Sequence, residues 1–143
     1  MRVLVINGPN LNLLGNRENN LYGDMSLADI KYALKKLAEE KQVEIDFFQS
    51  NHEGELIDQI HQAWGSVDAM IVNAGALTHY SIALMDAFKA VGIPFIEVHL
   101  TNICAREEFR HHSLLSPLAR GVIFGLGAMG YSLALLAICE WFK

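Results

Sequence analysis

"VLVINGPNLNLLGNRENNLYGDMSLADIKYALKKLAEEKQVEIDFF", residues 3–48, joins two short β-branched runs through a polar loop and one long amphipathic pattern. The runs "VLVI" (3–6) and "VEIDFF" (43–48) have strand lengths. Between them Ser26 and Asp29 stand as a capping box, and Leu27, Ile30, Leu34 and Leu37 share one helical face. Strand, helix and strand in that order make a right-handed crossover between parallel strands.

The same alternation continues outward. "AMIV" (69–72), "FIEVHL" (95–100) and "VIF" (122–124) read as further strands. "EGELIDQIHQAW" (53–64) offers Leu56, Ile57, Ile60 and Trp64 as a helical face, and "SIALMDAFKAV" (81–91) offers Ile82, Met85 and Phe88. The pattern predicts one doubly wound α/β domain over residues 1–143, with about five parallel strands and helices on both faces.

Composition agrees. With 52% hydrophobic and 19% charged residues the chain is far from the disordered class. A formal charge of −5 argues against a nucleic-acid partner, which calls for a basic stripe. Cys104 and Cys139 have no zinc-clip or disulfide spacing and are expected to be reduced and buried. "MRVLVING" already reads as a strand and lacks signal-peptide features, so a cytoplasmic location is expected. The apolar "YSLALLAICEWF" (131–142) is too short to span a bilayer and contains Glu140, so no membrane association is expected.

Several motifs point nowhere. "GLGAMG" (125–130) fits G-x-G-x-x-G, but the chain shows neither the following strand nor the later acidic residue of a dinucleotide site. Its glycines read as a tight turn and close helix packing. No P-loop, zincin or nucleophile-elbow motif is present, and adjacent His111 and His112 do not make a metal pair. Every lysine lies on a helix or at the terminus, away from strand ends, so a Schiff-base lysine has no candidate.

In an open α/β sheet the ligand sits beyond the carboxyl ends of the strands, at the topological switch point. The first strand runs into Asn7, Asn10, Arg17 and Tyr22; the third delivers Asn73; the fourth delivers Glu97, His99, Thr101 and Asn102. Each has an ordinary explanation on its own, such as a turn cap, a surface pair or a satisfied core histidine.

Together they form a pattern. "NGPNLNLLGNRENNLYG", "QSNHEGELIDQIHQA", "IVNAGALTHYSIALMDA", "IEVHLTN" and "AREEFRHHSLLSP", followed by "GVIFGLGAMGY", closely resemble the successive motifs of type II 3-dehydroquinate dehydratase. The resemblance covers nearly the whole chain. It implies a flavodoxin-like fold, no metal or cofactor, and a homododecamer built as a tetramer of trimers. It further implies reversible anti elimination of water from 3-dehydroquinate through an enolate, giving 3-dehydroshikimate.

The resemblance also assigns residues. Tyr22 is the base; an ordinary phenol titrates near 10, so a cation must favour its phenolate, and Arg17 matches that cation. Asn10 matches the residue that holds a water at the enolate oxygen. His99 matches the general acid, with Glu97 two residues earlier placed to orient its ring. Asn73, Leu100 and Thr101 match the carboxylate contacts, and His79, Asp86 and Arg110 the contacts to ring hydroxyls.

The segment 17–25 is expected to act as a lid. Here the chain departs from the family, which usually reads R-E-P where this chain has "REN" with Asn19. Thr101 stands at a position that is often serine and keeps the hydroxyl. An inactive scaffold homologue, the competing reading, should have lost Tyr22, Arg17 or His99. Biosynthesis through shikimate and breakdown of quinate would use the same reaction.

Overall fold

The computed structural model describes residues 1–16 and 19–143. Strands β1 (Arg2–Asn7), β2 (Glu44–Gln49), β3 (Ala69–Asn73), β4 (Phe95–His99) and β5 (Gly121–Phe124) form one parallel sheet in the order β2-β1-β3-β4-β5. Helices α1 (Asn19–Tyr22), α2 (Leu27–Glu40), α3 (Glu53–Ala63), α4 (Ile82–Val91) and α5 (Met129–Trp141) alternate with them. This is the flavodoxin-like order, whose switch point falls between β1 and β3.

The pleat sorts the core. Val3 and Val5 of β1 pack with α2 and α5 on one face, while Leu4 and Ile6 pack with α3 and α4 on the other. A sheet covered on both faces explains why "VLVI" and "AMIV" are apolar throughout instead of alternating. The α2 capping box is present: Ser26 Oγ accepts from Asp29 N at 3.1 Å and the Asp29 carboxylate accepts from Ser26 N at 2.9 Å. From that start the helix buries Ile30, Leu34 and Ala38, leaving Leu27 and Leu37 at the margin.

Two helical faces differ from the expectation. α3 ends at Ala63, Trp64 turns extended and is 73% exposed, and Ala63 takes the inward place after Leu56 and Ile60. In α4 the buried residues are Leu84, Ala87 and Phe88, while Ile82 is 62% exposed. Ser81 sets that rotation: its hydroxyl accepts from Leu84 N at 3.0 Å and donates to Glu53 at the start of α3. The cysteines differ too. Cys104 is exposed, because Ile103 takes the inward position of its short turn, and Cys139 is only partly buried.

"GLGAMG" is the structural turn its glycines suggested. Gly125 and Gly127 have φ of 87° and 60°, and a Cβ on Gly130 would meet Val98 and Ile123 at 3.3 and 3.4 Å, so α5 lies close on the sheet. That helix buries Tyr131, Ala134, Leu135 and Ile138 on the sheet and leaves Met129 and Leu136 exposed. Among the described residues no helix is long and apolar enough to cross a membrane. The long loops after β1 and β4 contain short helical pieces: Leu11–Leu13, Ile103–Ala105 and Glu108–Arg110 form single helical turns, and α1 sits within the first loop.

Candidate active site

The carboxyl ends of β1, β3 and β4 open into one cleft. Asn7 of β1 and Asn73 of β3 are register partners, and both are buried. Gly8 follows immediately; its N–H donates to the Asn73 carbonyl at 2.8 Å, and a Cβ there would stand 2.3 Å from the Ala74 carbonyl oxygen. Only glycine permits this approach of the two loops.

Asn10 has φ of 70°, a left-handed conformation that asparagine tolerates. Its backbone N–H donates to Asn51 Oδ1 at 3.0 Å, and Gln49 Nε2 lies 3.2 Å from both that oxygen and the Gly8 carbonyl. The "QSN" stretch at the end of β2 therefore buttresses the loop that presents Asn10.

The cleft has a volume of about 130 Å³, room for a small ring and far too little for a dinucleotide. Asn10, Tyr22, Asn73, His79, His99, Leu100, Thr101 and Arg110 all line it, so most of the residues singled out in the sequence converge. Glu97 lies behind His99. Asp86 does not line the cleft and is exposed on α4. Arg17 lies outside the described residues.

Glu97 occupies a core position. It follows Phe95 by two residues on the same side of the pleat and is fully buried. Its Oε1 is 2.6 Å from His99 Nε2. Burial alone would raise the Glu97 carboxyl, but hydrogen bonds from His99, Ser116 and Ser113 hold it below the ordinary range. It is therefore a carboxylate at neutral pH and accepts a hydrogen bond from Nε2–H, leaving His99 Nδ1 as the nitrogen available to a ligand.

His79 stacks beside His99 with ring centroids 6.3 Å apart. Its Nδ1 lies 2.8 Å from the His112 carbonyl, which can only accept, so Nδ1 carries the proton. Burial pushes the His79 imidazole below its ordinary value, aided by His99 and Arg110 and outweighing that carbonyl. A neutral His79 offers Nε2 as an acceptor. Arg110 Nε is tied to Glu107 at 2.6 Å, which fixes the guanidinium at the rim.

Three groups went unread in the sequence. Arg106 lines the cleft with its guanidinium carbon 5.4 Å from the Tyr22 ring centroid, so a cation stands against the phenol within the described residues. In "AREEFR" it looks like one half of a surface pair, and Glu107 indeed lies 4.0 Å away. Beneath the floor, Tyr131 OH donates to Asn7 Oδ1 at 2.5 Å and accepts from Asn73 Nδ2 at 3.0 Å. Burial raises the Tyr131 phenol well above its ordinary value, so it remains a hydroxyl. The third group, Thr78, Ser113 and Ser116, surrounds Glu97. Among the described residues there is no cluster of three or more His, Cys, Asp or Glu that could hold a metal ion.

Fold and cleft define a flavodoxin-like α/β enzyme whose site pairs a buried carboxylate–imidazole couple with a phenol facing the Arg106 guanidinium. Comparison with known proteins narrows the class. The family model described as dehydroquinase class II matches residues 1–139. The 3-dehydroquinate dehydratase of Caldicellulosiruptor bescii is 57% identical over 140 residues, covering 97% of both chains. The crystal structure of type II dehydroquinase from Butyrivibrio crossotus superposes with a TM-score of 0.94 at 43% identity, covering 98% of this chain and 97% of that one. The type II dehydroquinase of Propionibacterium acnes gives 0.93 at 41% identity, with 97% and 96% covered. The chain belongs to the class II dehydroquinase family, whose members carry out a hydro-lyase reaction.

Proposed function

We propose that the cleft removes water from 3-dehydroquinate by anti elimination through an enolate, reversibly giving 3-dehydroshikimate, within the shikimate route to aromatic amino acids. The observation that carries this reading is the His99–Glu97 couple, buried at 2.6 Å, opening onto the same small cleft as Tyr22.

Tyr22, as phenolate, takes the proton next to the ketone. Arg17, with Arg106 as a second cation, favours that phenolate by opposing its charge. The electron pair moves onto the carbonyl oxygen, where a water held by Asn10 hydrogen-bonds the enolate. The enolate pair then returns to form the carbon–carbon double bond and breaks the carbon–oxygen bond, while His99, protonated on both nitrogens and held by Glu97, gives its Nδ1 proton to the departing hydroxyl, which leaves as water. The side chains thus supply both proton transfers, with no metal or cofactor in the sequence of steps.

Asn73, Thr101 and the main chain at Leu100 would receive the ring carboxylate, and His79 Nε2 and Arg110 the ring hydroxyls. Asp86 lies outside its own chain's cleft, so its contact with substrate requires a neighbouring copy's α4. The protein would then assemble as a homododecamer, a tetramer of trimers, in the cytoplasm. Segment 17–25 would close over the bound ring and exclude water.

The test is turnover of 3-dehydroquinate, followed by the ultraviolet absorbance of the conjugated product. Wild type should turn over and retain activity after borohydride treatment, while Tyr22→Phe and His99→Ala should each lose activity by at least about a hundredfold. Inactivation of wild type by borohydride in the presence of substrate would indicate an imine and refute the enolate reading.

A further inference from the structure

We propose that Ser116, together with Ser113 and Thr78, is a positioning device for the reaction, three hydroxyls that hold the buried Glu97 carboxylate ionised and in the orientation that fixes His99. This rests on reading Glu97 and His99 as the acid couple.

The need for such a device follows from where Glu97 stands. It is 0% exposed, two residues from Phe95 on the side of the pleat that packs with α3 and α4. A carboxylate there must be paired or it takes up a proton. Its ion-pair partner among the described residues is His99. In the proposed step His99 gives away a proton, so the positive charge beside the carboxylate disappears at the moment of chemistry. Hydrogen bonds that persist through the cycle must then keep Glu97 ionised.

The hydroxyls supply them. Oε1 accepts from Ser113 Oγ at 2.7 Å and Thr78 Oγ1 at 3.0 Å, beside the 2.6 Å bond from His99. Oε2 accepts from Ser116 Oγ at 2.5 Å. With three donors on one oxygen, Ser116 is what stops the carboxylate turning about its last torsion. The proton of Ser113 is committed to this duty, because its oxygen already accepts from Leu115 N at 3.1 Å and Ser116 N at 3.0 Å.

The loop carrying the serines is itself anchored: Leu114 N donates to the Thr78 carbonyl at 2.8 Å, and Leu115 is wholly buried. "SLLSP" therefore joins the segment after β3 to the acid couple on β4. A Ser-x-x-Ser with two leucines between places both hydroxyls on one side and a core anchor on the other.

The experiment is a double-mutant cycle on the purified protein, with kcat and KM measured for Ser116→Ala, Glu97→Gln, the double variant and Ser116→Thr. Ser116→Ala should lower kcat about tenfold with KM changed less than about twofold, the loss of one hydrogen bond to a charged group. Ser116→Thr, which restores the hydroxyl, should return kcat to within about twofold of wild type. In the Glu97→Gln background, adding Ser116→Ala should change kcat by less than about twofold, because the carboxylate it served is gone. Multiplying losses in the double variant, a wild-type kcat in Ser116→Ala, or a loss confined to KM would each overturn the proposal. A wild-type kcat in Glu97→Gln would remove the acid couple and the hydroxyl device with it.

Discussion

At the scale of single residues, the floor of the cleft shows how a polar site is set on an apolar sheet. The hydrogen bonds run one way, from Gly75 N to Asn73 Oδ1, from Asn73 Nδ2 to Tyr131, and from Tyr131 to Asn7 Oδ1, so each amide has a single satisfied orientation. Tyr131→Phe removes the middle of that chain and leaves two buried amides short of a partner. It should cost about 2 kcal/mol in urea denaturation, the penalty for orphaned buried polar groups. An unchanged urea midpoint would show that the amides find other partners. Sequence reading reached Asn73 because it stands at a strand end, the place where ligands bind. It did not reach Tyr131, since a tyrosine 58 residues away on a core helix carries no local sign of facing an asparagine. Arg106, Ser113 and Ser116 were hidden for the same reason: their meaning lies in Tyr22 and in Glu97, which the fold brings beside them.

At the scale of elements, local chemistry was most legible where a rule acts within a few residues. The Ser26–Asp29 capping box was readable because both partners lie in one turn. Ser26→Ala should destabilise the protein by about 1 kcal/mol without affecting KM, measured by urea denaturation and steady-state kinetics. The faces of α3 and α4 were less legible, since Ala63, Leu84 and Ala87 are small or ordinary residues whose inward rotation is set by caps and neighbours. Trp64 and Ile82 drew the eye by hydrophobicity and proved exposed. Asn19 opens α1, and proline is well tolerated at the first position of a helix. Asn19→Pro should therefore stiffen the segment 17–25 in the free enzyme, seen as slower limited proteolysis there, with kcat retained. Equal cleavage rates would count against a closing role for Asn19.

For the whole molecule, the alternation of strand and helix revealed the doubly wound class and the resemblance implied the flavodoxin-like arrangement, which the pairing bears out in the order β2-β1-β3-β4-β5. That order sets the loops after β1 and β3 side by side and β4 next to them, which is why residues spread from Asn10 to Arg110 meet. Acid should loosen this arrangement as a unit. The Glu97 carboxyl is held below its ordinary 4.5, so the stability it adds is complete above 4.5 and is lost as pH falls through the lower folded value. Neutral His79, held below 6.5, likewise adds stability that is complete above 6.5 and is lost as pH falls through its folded value. Urea midpoints should therefore decline on acidification from pH 6.5, and His79→Gln should flatten the first part of that decline. The central claim is that Tyr22 and His99 perform separate proton transfers, and exchange of the substrate proton beside the ketone with deuterium oxide, followed by NMR alongside dehydration, tests it most directly. His99→Ala should still exchange that proton while dehydration falls, because the enolate forms and returns, and Tyr22→Phe should lose both. Exchange that persists in Tyr22→Phe, or that vanishes with dehydration in His99→Ala, would contradict the assignment of the two roles.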